Sequence, residues 1–214
     1  MHTIQKIAVI GGTGKAGQYL IPALLTEGYT IQLLLRNPSA HNFTDDRIKI
    51  IPDDARNSQA ILLTLKGCDA VISMLGQPRG ETAIFSAATN NVLQAMKETG
   101  IQRYIVITGL SVDAPGDHKN EKAEQATAWM KAHYPETTLD KQREYELLCD
   151  SNMDWTLIRL PLIVQTDETP EIIINLHDCP GEAISAASLA RFAVQQLRDD
   201  TYVRRSPFIA NSEG

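Results

Sequence analysis

Apolar residues fall into short runs separated by longer stretches of helical period. Lys6–Ile10 (KIAVI), Thr30–Leu35 (TIQLLL), Ile48–Ile51, Ala70–Leu75 (AVISML), Tyr104–Thr108 (YIVIT) and Trp155–Leu160 (WTLIRL) are aliphatic and β-branched runs that predict strands. Between them, Lys15–Glu27 stops at Gly28, Asn57–Leu65 offers Asn57 or Ser58 as a cap, and Glu81–Thr99 closes at Gly100. Each of the three predicts a helix. Strand and helix alternating at this spacing predict βαβ units with right-handed crossovers. The strand runs are continuous rather than alternating, as expected where helices cover both faces of a parallel sheet. The expected fold class is therefore α/β, doubly wound and mainly parallel.

The pattern changes after residue 110. Residues 111–150 carry nine acidic and five basic side chains, most of the net charge of −6 of the whole chain. This stretch reads as a solvated loop around Asp113–His118 and two helices broken near Pro135. Glu171–Leu176 predicts a further strand, Ala186–Leu197 a helix and Pro207–Ala210 a short last strand. With 214 residues, 43% of them hydrophobic, the chain can bury a substantial core. One domain, residues 1–214, with 111–214 including the substrate-side elaboration, fits better than two. The acidic balance argues against a nucleic-acid partner, which would need a basic face. No apolar run is long enough for a membrane span. The stretch MHTIQKIAVIGG is too polar for a secretory signal, and the three separated cysteines do not suggest a disulfide framework. A cytoplasmic location is expected.

The sharpest local signal is Gly11-Gly12-Thr13-Gly14-Lys15-Ala16-Gly17, after the first strand and opening the first helix. Both Gly12-x-Gly14-x-x-Gly17 and Gly11-x-x-Gly14-x-x-Gly17 fit a dinucleotide-binding turn. One glycine makes the turn, another admits the pyrophosphate to the backbone, and Gly17 lets helix and strand pack closely. The helix N-terminus then presents amides and partial positive charge to phosphate. At the end of the second strand, where an NAD site places a carboxylate, stands Arg36, followed by Asn37 and Ser39. A guanidinium there favours a 2′-phosphate, hence NADP(H) over NAD(H), although a strand-end arginine can also be simply solvated. Asp53-Asp54-Ala55 follows the third strand, where Asp53 could hold the adenine amine or cap the next helix. Leu75-Gly76 ends the fourth strand at the edge where ligands sit.

Other chemistry is missing. None of the tyrosines at 19, 29, 104, 134, 145 and 202 has a lysine four residues on, so the Tyr-x-x-x-Lys acid–base pair is absent. The five histidines share no ligand spacing, and no metal is expected. Cys68 and Cys149 read as buried fillers rather than nucleophiles.

GGTGKAGQ, LLLRNPS, the Asp53-Asp54 pair, DAVISMLG, NVLQAMKETGIQRYIVITG, SNMDWTLIRLP and ISAASLARFAVQQL together resemble the atypical short-chain dehydrogenase/reductases over nearly the whole chain. The group that looks most similar is the NAD(P)H-binding, NmrA-like proteins that include biliverdin-IXβ/flavin reductases. The resemblance implies a Rossmann-like fold with a small C-terminal elaboration. It implies that Thr108, Gly109 and Leu110 face the nicotinamide ribose, and that Pro161, Leu162 and Ile163 line the nicotinamide pocket. Where the group commonly reads Thr-Ser at the end of the fifth strand, this chain reads Thr108-Gly109, with Ser111 two residues later. Ser111 is the candidate catalytic residue, as a group that could polarise an acceptor or simply end the strand. The implied activity is reduction by NADPH of a planar small-molecule acceptor such as a flavin or quinone, chemistry that does not require a strong protein acid. The alternative is an NADP(H)-sensing regulator with a protein partner and no turnover. An epimerase reading is weakened by the missing Tyr/Lys pair and the short C-terminal part.

Overall fold

The computed structural model describes residues 4–78 and 80–212. Among these, β1 (Lys6–Ile10), α1 (Gly17–Thr26), β2 (Thr30–Leu35), β3 (Ile48–Pro52), α2 (Ser58–Leu65), β4 (Ala70–Ser73), α3 (Phe85–Thr99) and β5 (Arg103–Gly109) form the first half. Two helices follow, α4 (Glu121–His133) and α5 (Pro135–Asp150). The remainder is β6 (Asp154–Leu160), β7 (Leu162–Val164), β8 (Ile172–Asn175), β9 (Ala183–Ser185), α6 (Ala186–Gln195) and β10 (Phe208–Asn211).

Eight strands form one sheet in the order β3-β2-β1-β4-β5-β6-β10-β8. All neighbours are parallel except β8, which runs antiparallel to β10. The chain winds outward from β1 to β3, then returns to place β4 on the other side of β1. That reversal separates the following loops and opens a crevice at the carboxyl ends of β1 and β4. The fold is Rossmann-like, with helices on both faces of the sheet.

The period of two along each strand builds two apolar layers. Ile7 and Val9 of β1, with Ile105 and Ile107 of β5, face Leu20 and Leu24 of α1 and Leu189 and Phe192 of α6. Ala8 and Ile10, with Tyr104 and Val106, face Ile61 and Leu65 of α2, Val92 and Met96 of α3, and Leu148 of α5. Asn57 is the cap of α2, its Oδ1 accepting from the amides of Gln59 and Ala60. Gly100 ends α3 in the left-handed region at φ +78°.

Two charged side chains are built into this frame. Arg103 donates to the carbonyls of Gln196 and Asp154 and to Thr156 Oγ1. Arg159 is fully buried. It pairs with Asp117 at 2.6 Å, donates to the carbonyls of Ser206, Val112 and Leu176, and lies over the Phe208 ring. It therefore ties the loop after β5 to the C-terminal strands.

Three expectations need correction. The helix expected from Glu81 begins at Phe85, because Glu81 and Thr82 are engaged elsewhere. The Gln77 amide donates to the carbonyls of Pro78, Glu81 and Thr82, and Glu81 pairs with arginines. The fourth strand stops at Ser73 rather than Leu75, where the chain turns past the glycine loop. A separate two-stranded parallel ribbon, β7 with β9, was not expected. No helix among the described residues is long and apolar enough to cross a membrane.

Candidate functional site

The crevice is a cavity of about 1110 Å³ along the carboxyl edge of the sheet. It starts at the turn after β1. Gly11 has φ +73°, and a Cβ there would lie 2.8 Å from the backbone of Leu75. A Cβ on Gly17 would lie 2.1 Å from the Gly11 carbonyl oxygen. Only glycine allows these approaches. The Gly14 amide donates to the Gly11 carbonyl at 3.2 Å, which closes the turn. No side chain caps α1, and no acid lies in its first turn. The amides of Gln18 and Tyr19 donate to the carbonyls of Gly14 and Ala16, and no acid in the first turn offsets the partial positive charge of the helix end.

Gly11, Thr13, Gly14, Lys15 and Ala16 line the cavity. Gly12 and Gly17, both expected at the cofactor, do not line it. Gly17 lies against the loop backbone, and a Cβ on Gly12 would meet the Leu33 side chain at 2.7 Å. Their work is packing behind the turn.

Arg36, Asn37, Asp53, Asp54 and Ala55 line one end, Leu75 and Gly76 the middle, and Thr108, Gly109, Leu110, Ser111, Pro161, Leu162 and Ile163 the other end. Asp53 accepts from the Asn57 amide group and from the Asp54 N–H, so it steadies the cap of α2 rather than making it. Arg36 is held by carboxylates that its sequence neighbourhood does not announce, Glu81 at 2.9 Å and Asp54 at 3.6 Å. The hydrogen bond to Glu81 raises the Arg36 pKa, and the Arg36 guanidinium holds Glu81 below the usual carboxylate range.

At the other end stands a residue the sequence reading missed, Lys141 of α5. Its ammonium lies 4.8 Å from the Phe85 ring centroid, with no hydrogen bond or ion pair among the described residues. Burial lowers its pKa. Lys141 Nζ and Ser111 Oγ each lie 3.6 Å from where a Gly109 Cβ would stand, so a glycine at 109 leaves the space between them open. The residue four before Lys141 is Thr137. A search that begins from tyrosines therefore passes over this lysine.

Behind Lys141, one helical turn on, Glu144 is buried. One carboxylate oxygen accepts from Thr89 Oγ1 at 2.8 Å and the other has no hydrogen-bond partner among the described residues. Burial pushes its pKa up to about 7. Thr108 Oγ1 is likewise buried and without a partner. Trp129 and Met130 of α4 complete the wall. Trp129 is 51% exposed and Leu162 70% exposed. Both are large apolar groups left open at the mouth.

The donor set fits a dinucleotide. The glycine turn leaves room for backbone approach, α1 offers an uncapped N-terminus, and Thr108 Oγ1 awaits a partner. The thiols offer no competing chemistry, since burial pushes Cys68 up to about 11 and raises Cys149 and Cys179. Among the described residues no group of three His, Cys, Asp or Glu side chains could hold a metal ion.

Comparison with known proteins follows this geometry. A family model described as NAD(P)H-binding matches residues 11–200. The sterol-4-alpha-carboxylate 3-dehydrogenase, decarboxylating, of Mus musculus is 27% identical over 147 residues, 65% of this chain and 40% of that protein. Isoflavone reductase homolog A622 of Nicotiana glauca is 28% identical over 110 residues, 47% of this chain and 34% of that protein. The chain thus spans less than half the length of these relatives. A short-chain dehydrogenase/reductase of Veillonella parvula, crystallised with NADP, superposes with a TM-score of 0.80 at 17% identity, covering 98% of this chain and 95% of that one. An oxidoreductase of Lactococcus lactis gives 0.77 at 19% identity, covering 98% and 92%. These two likenesses establish the fold.

Proposed function

Because the chain belongs to the NAD(P)H-binding family, we propose that it is an NADPH-dependent reductase acting on a planar small-molecule acceptor such as a flavin or quinone. The observation that carries this reading is the continuity of one cavity from the glycine turn to Lys141 and Ser111. A bound nicotinamide supplies hydride, and the protein supplies position and electrostatics. Thr13 to Ala16 and the start of α1 would hold the pyrophosphate. Arg36 would meet a 2′-phosphate, which favours NADP(H). Thr108 Oγ1, buried with no protein partner, is available to a ribose hydroxyl. Trp129, whose ring also stacks on His133, and Leu162 offer apolar surface to an acceptor. Lys141 Nζ faces the same space, and the burial that lowers its pKa makes its proton easier to give to an acceptor oxygen.

The test mixes the purified protein with NADPH, alone and with FMN or a soluble quinone. Cofactor fluorescence reads binding and absorbance reads consumption. Binding with acceptor-dependent consumption above the protein-free blank is expected. Binding with no consumption across both acceptor classes would overturn the reductase in favour of a cofactor-sensing regulator. Absence of binding would overturn the assignment of the glycine turn.

A further inference from the structure

At the rim of the cavity's adenosine end, Arg36 and Asp54, which line it, join Arg56 and Glu81, which do not, in a charge cluster that its contribution to stability does not explain. Glu81 bridges two guanidiniums. Its Oε1 lies 2.9 Å from Arg36 Nη1 and its Oε2 lies 2.9 Å from Arg56 Nη1. Asp54 sits beneath both, 3.6 Å from Arg36 and 3.3 Å from Arg56. All four side chains are partly exposed, from 27% to 48%. Exposed pairs of this kind add little to folding. They do show where a doubly anchored anion rests: two oxygens, each on a different arginine, at the rim where Arg36 enters the cavity.

The two acids differ in freedom. Asp54 Oδ1 accepts from the backbone N–H of Arg56 at 2.8 Å, which fixes it to its own loop. Glu81 lies in the connection between β4 and α3, outside any helix or strand. Its main-chain carbonyl is held by Gln77, and its side chain is held by the two arginines. The side chain can leave without unfolding anything. A phosphate monoester carries more charge than a carboxylate and has three terminal oxygens for the same two guanidiniums.

We propose that Arg56 is the second arm of a 2′-phosphate seat shared with Arg36, and that Glu81 is the seat's resting occupant, which the phosphate displaces. This rests on the NADPH reading above. Preference for NADP(H) then comes from two arginines on successive connections, after β2 and after β3, and is moderated by an acid that returns when the ligand leaves. In this arrangement Glu81 serves no ribose hydroxyl.

The experiment titrates NADPH and NADH by cofactor fluorescence into the wild type and three variants, Arg56→Ala, Arg56→Lys and Glu81→Gln. Wild-type preference for NADPH tests the earlier reading, and the variants test this one. Arg56→Ala should raise the NADPH Kd about tenfold and leave that for NADH within about twofold, the scale of one lost charged hydrogen bond. Arg56→Lys should fall between, because an ammonium cannot reproduce the fork. Glu81→Gln should tighten NADPH about three- to fivefold by removing the competitor. A wild type that prefers NADPH, with Arg56→Ala unchanged, would overturn the second arm alone. Loss of NADH affinity in Glu81→Gln would make Glu81 a ribose ligand and overturn its role as occupant. A wild type that binds NADH at least as tightly as NADPH would overturn the NADPH reading and this proposal with it.

Discussion

Alanine at positions 17 and 14 separates the architecture of the glycine turn from its chemistry. A Cβ at position 17 would stand 2.1 Å from the Gly11 carbonyl oxygen and 2.6 Å from Gly12 Cα, against ordinary contact from 3.4 Å. The shortfalls are about 1.3 and 0.8 Å, and both neighbours are backbone, so no side chain can rotate to relieve them. The turn must separate from α1. Overpacking of this kind costs about 1–3 kcal/mol. Each kcal/mol is worth about 2–4 °C of Tm in a chain of this size, so Gly17→Ala should lower Tm by about 2–12 °C. It should also weaken NADPH, because the amides move with the turn. Gly14→Ala is the contrast. Its Cβ would lie 3.5 Å from the Gly11 carbonyl and 3.9 Å from that of Met74, which the folded chain tolerates. The added methyl sits on a residue lining the cavity where the pyrophosphate would approach. Gly14→Ala should keep Tm within about 2 °C while raising the NADPH Kd by about tenfold or more. Thermal melts and fluorescence titrations of both variants read the two effects. A Gly17→Ala protein that melts and binds like the wild type would refute the close-approach argument. A Gly14→Ala protein with unchanged affinity would refute the placing of pyrophosphate at this turn.

Further outcomes follow from the buried charges. Lys141→Met should lower acceptor-dependent NADPH consumption about a hundredfold at saturating NADPH, while the loss of a desolvated cation and of its attraction to Glu144 offset one another in Tm. Unchanged turnover would remove Lys141 from the chemistry. Arg159→Met should destabilise by about 3–5 kcal/mol, because it removes the ion-pair partner of partly buried Asp117 and a donor to three carbonyls, and chemical denaturation measures this directly. Glu144 holds its proton up to about pH 7 in the folded chain, whereas the unfolded group releases it near its ordinary value of 4.5. Between those values the folded state binds more protons. The stability contributed by the protonated carboxyl is therefore complete below the unfolded pKa and lost as pH rises through about 7. Melts from pH 5 to 8 should show a fall in wild-type Tm that Glu144→Gln lacks, and parallel curves would exclude this group as the cause. Arg36→Ala should weaken NADPH far more than NADH, and equal losses would remove the phosphate contact.

The parts of the molecule that were readable in advance are those decided by neighbours in sequence. The run Thr30–Leu35 could be bounded because a buried parallel strand is apolar on both faces, and the break at Pro135 because proline opens a helix. The glycine turn was readable because its signature falls within seven residues, although Leu75 and Leu33 supply part of the crowding that demands glycine. What escaped depends on distant partners. Leu162–Val164 is a strand only because residues 183–185 lie beside it, and its outer side chains are exposed, so no apolar pattern marks it. Arg36 could be placed at the ligand, but not its hold on Glu81, 45 residues further along. Lys141 reaches the cavity because α5 packs against α3 and brings one polar residue over Gly109. Nothing in the helix sequence distinguishes that lysine from a solvated one.

The position of β10 sets an order of events on the ribosome. β6 meets β5 on one side and β10 on the other, and β8 pairs with β10 alone among the described strands. Of the described strands, the one made last thus completes the interior of the sheet, and β8, made some thirty residues earlier, occupies its rim. Until 208–211 emerge, β6 offers its outer edge to any passing strand and β8 has no place to dock. Arg159, waiting on β6, lacks the Ser206 carbonyl and the Phe208 ring for the same interval. The nascent chain therefore carries a guanidinium short of two of its contacts beside an open strand edge. Such a charge discourages intermolecular pairing while the missing strand is still being made.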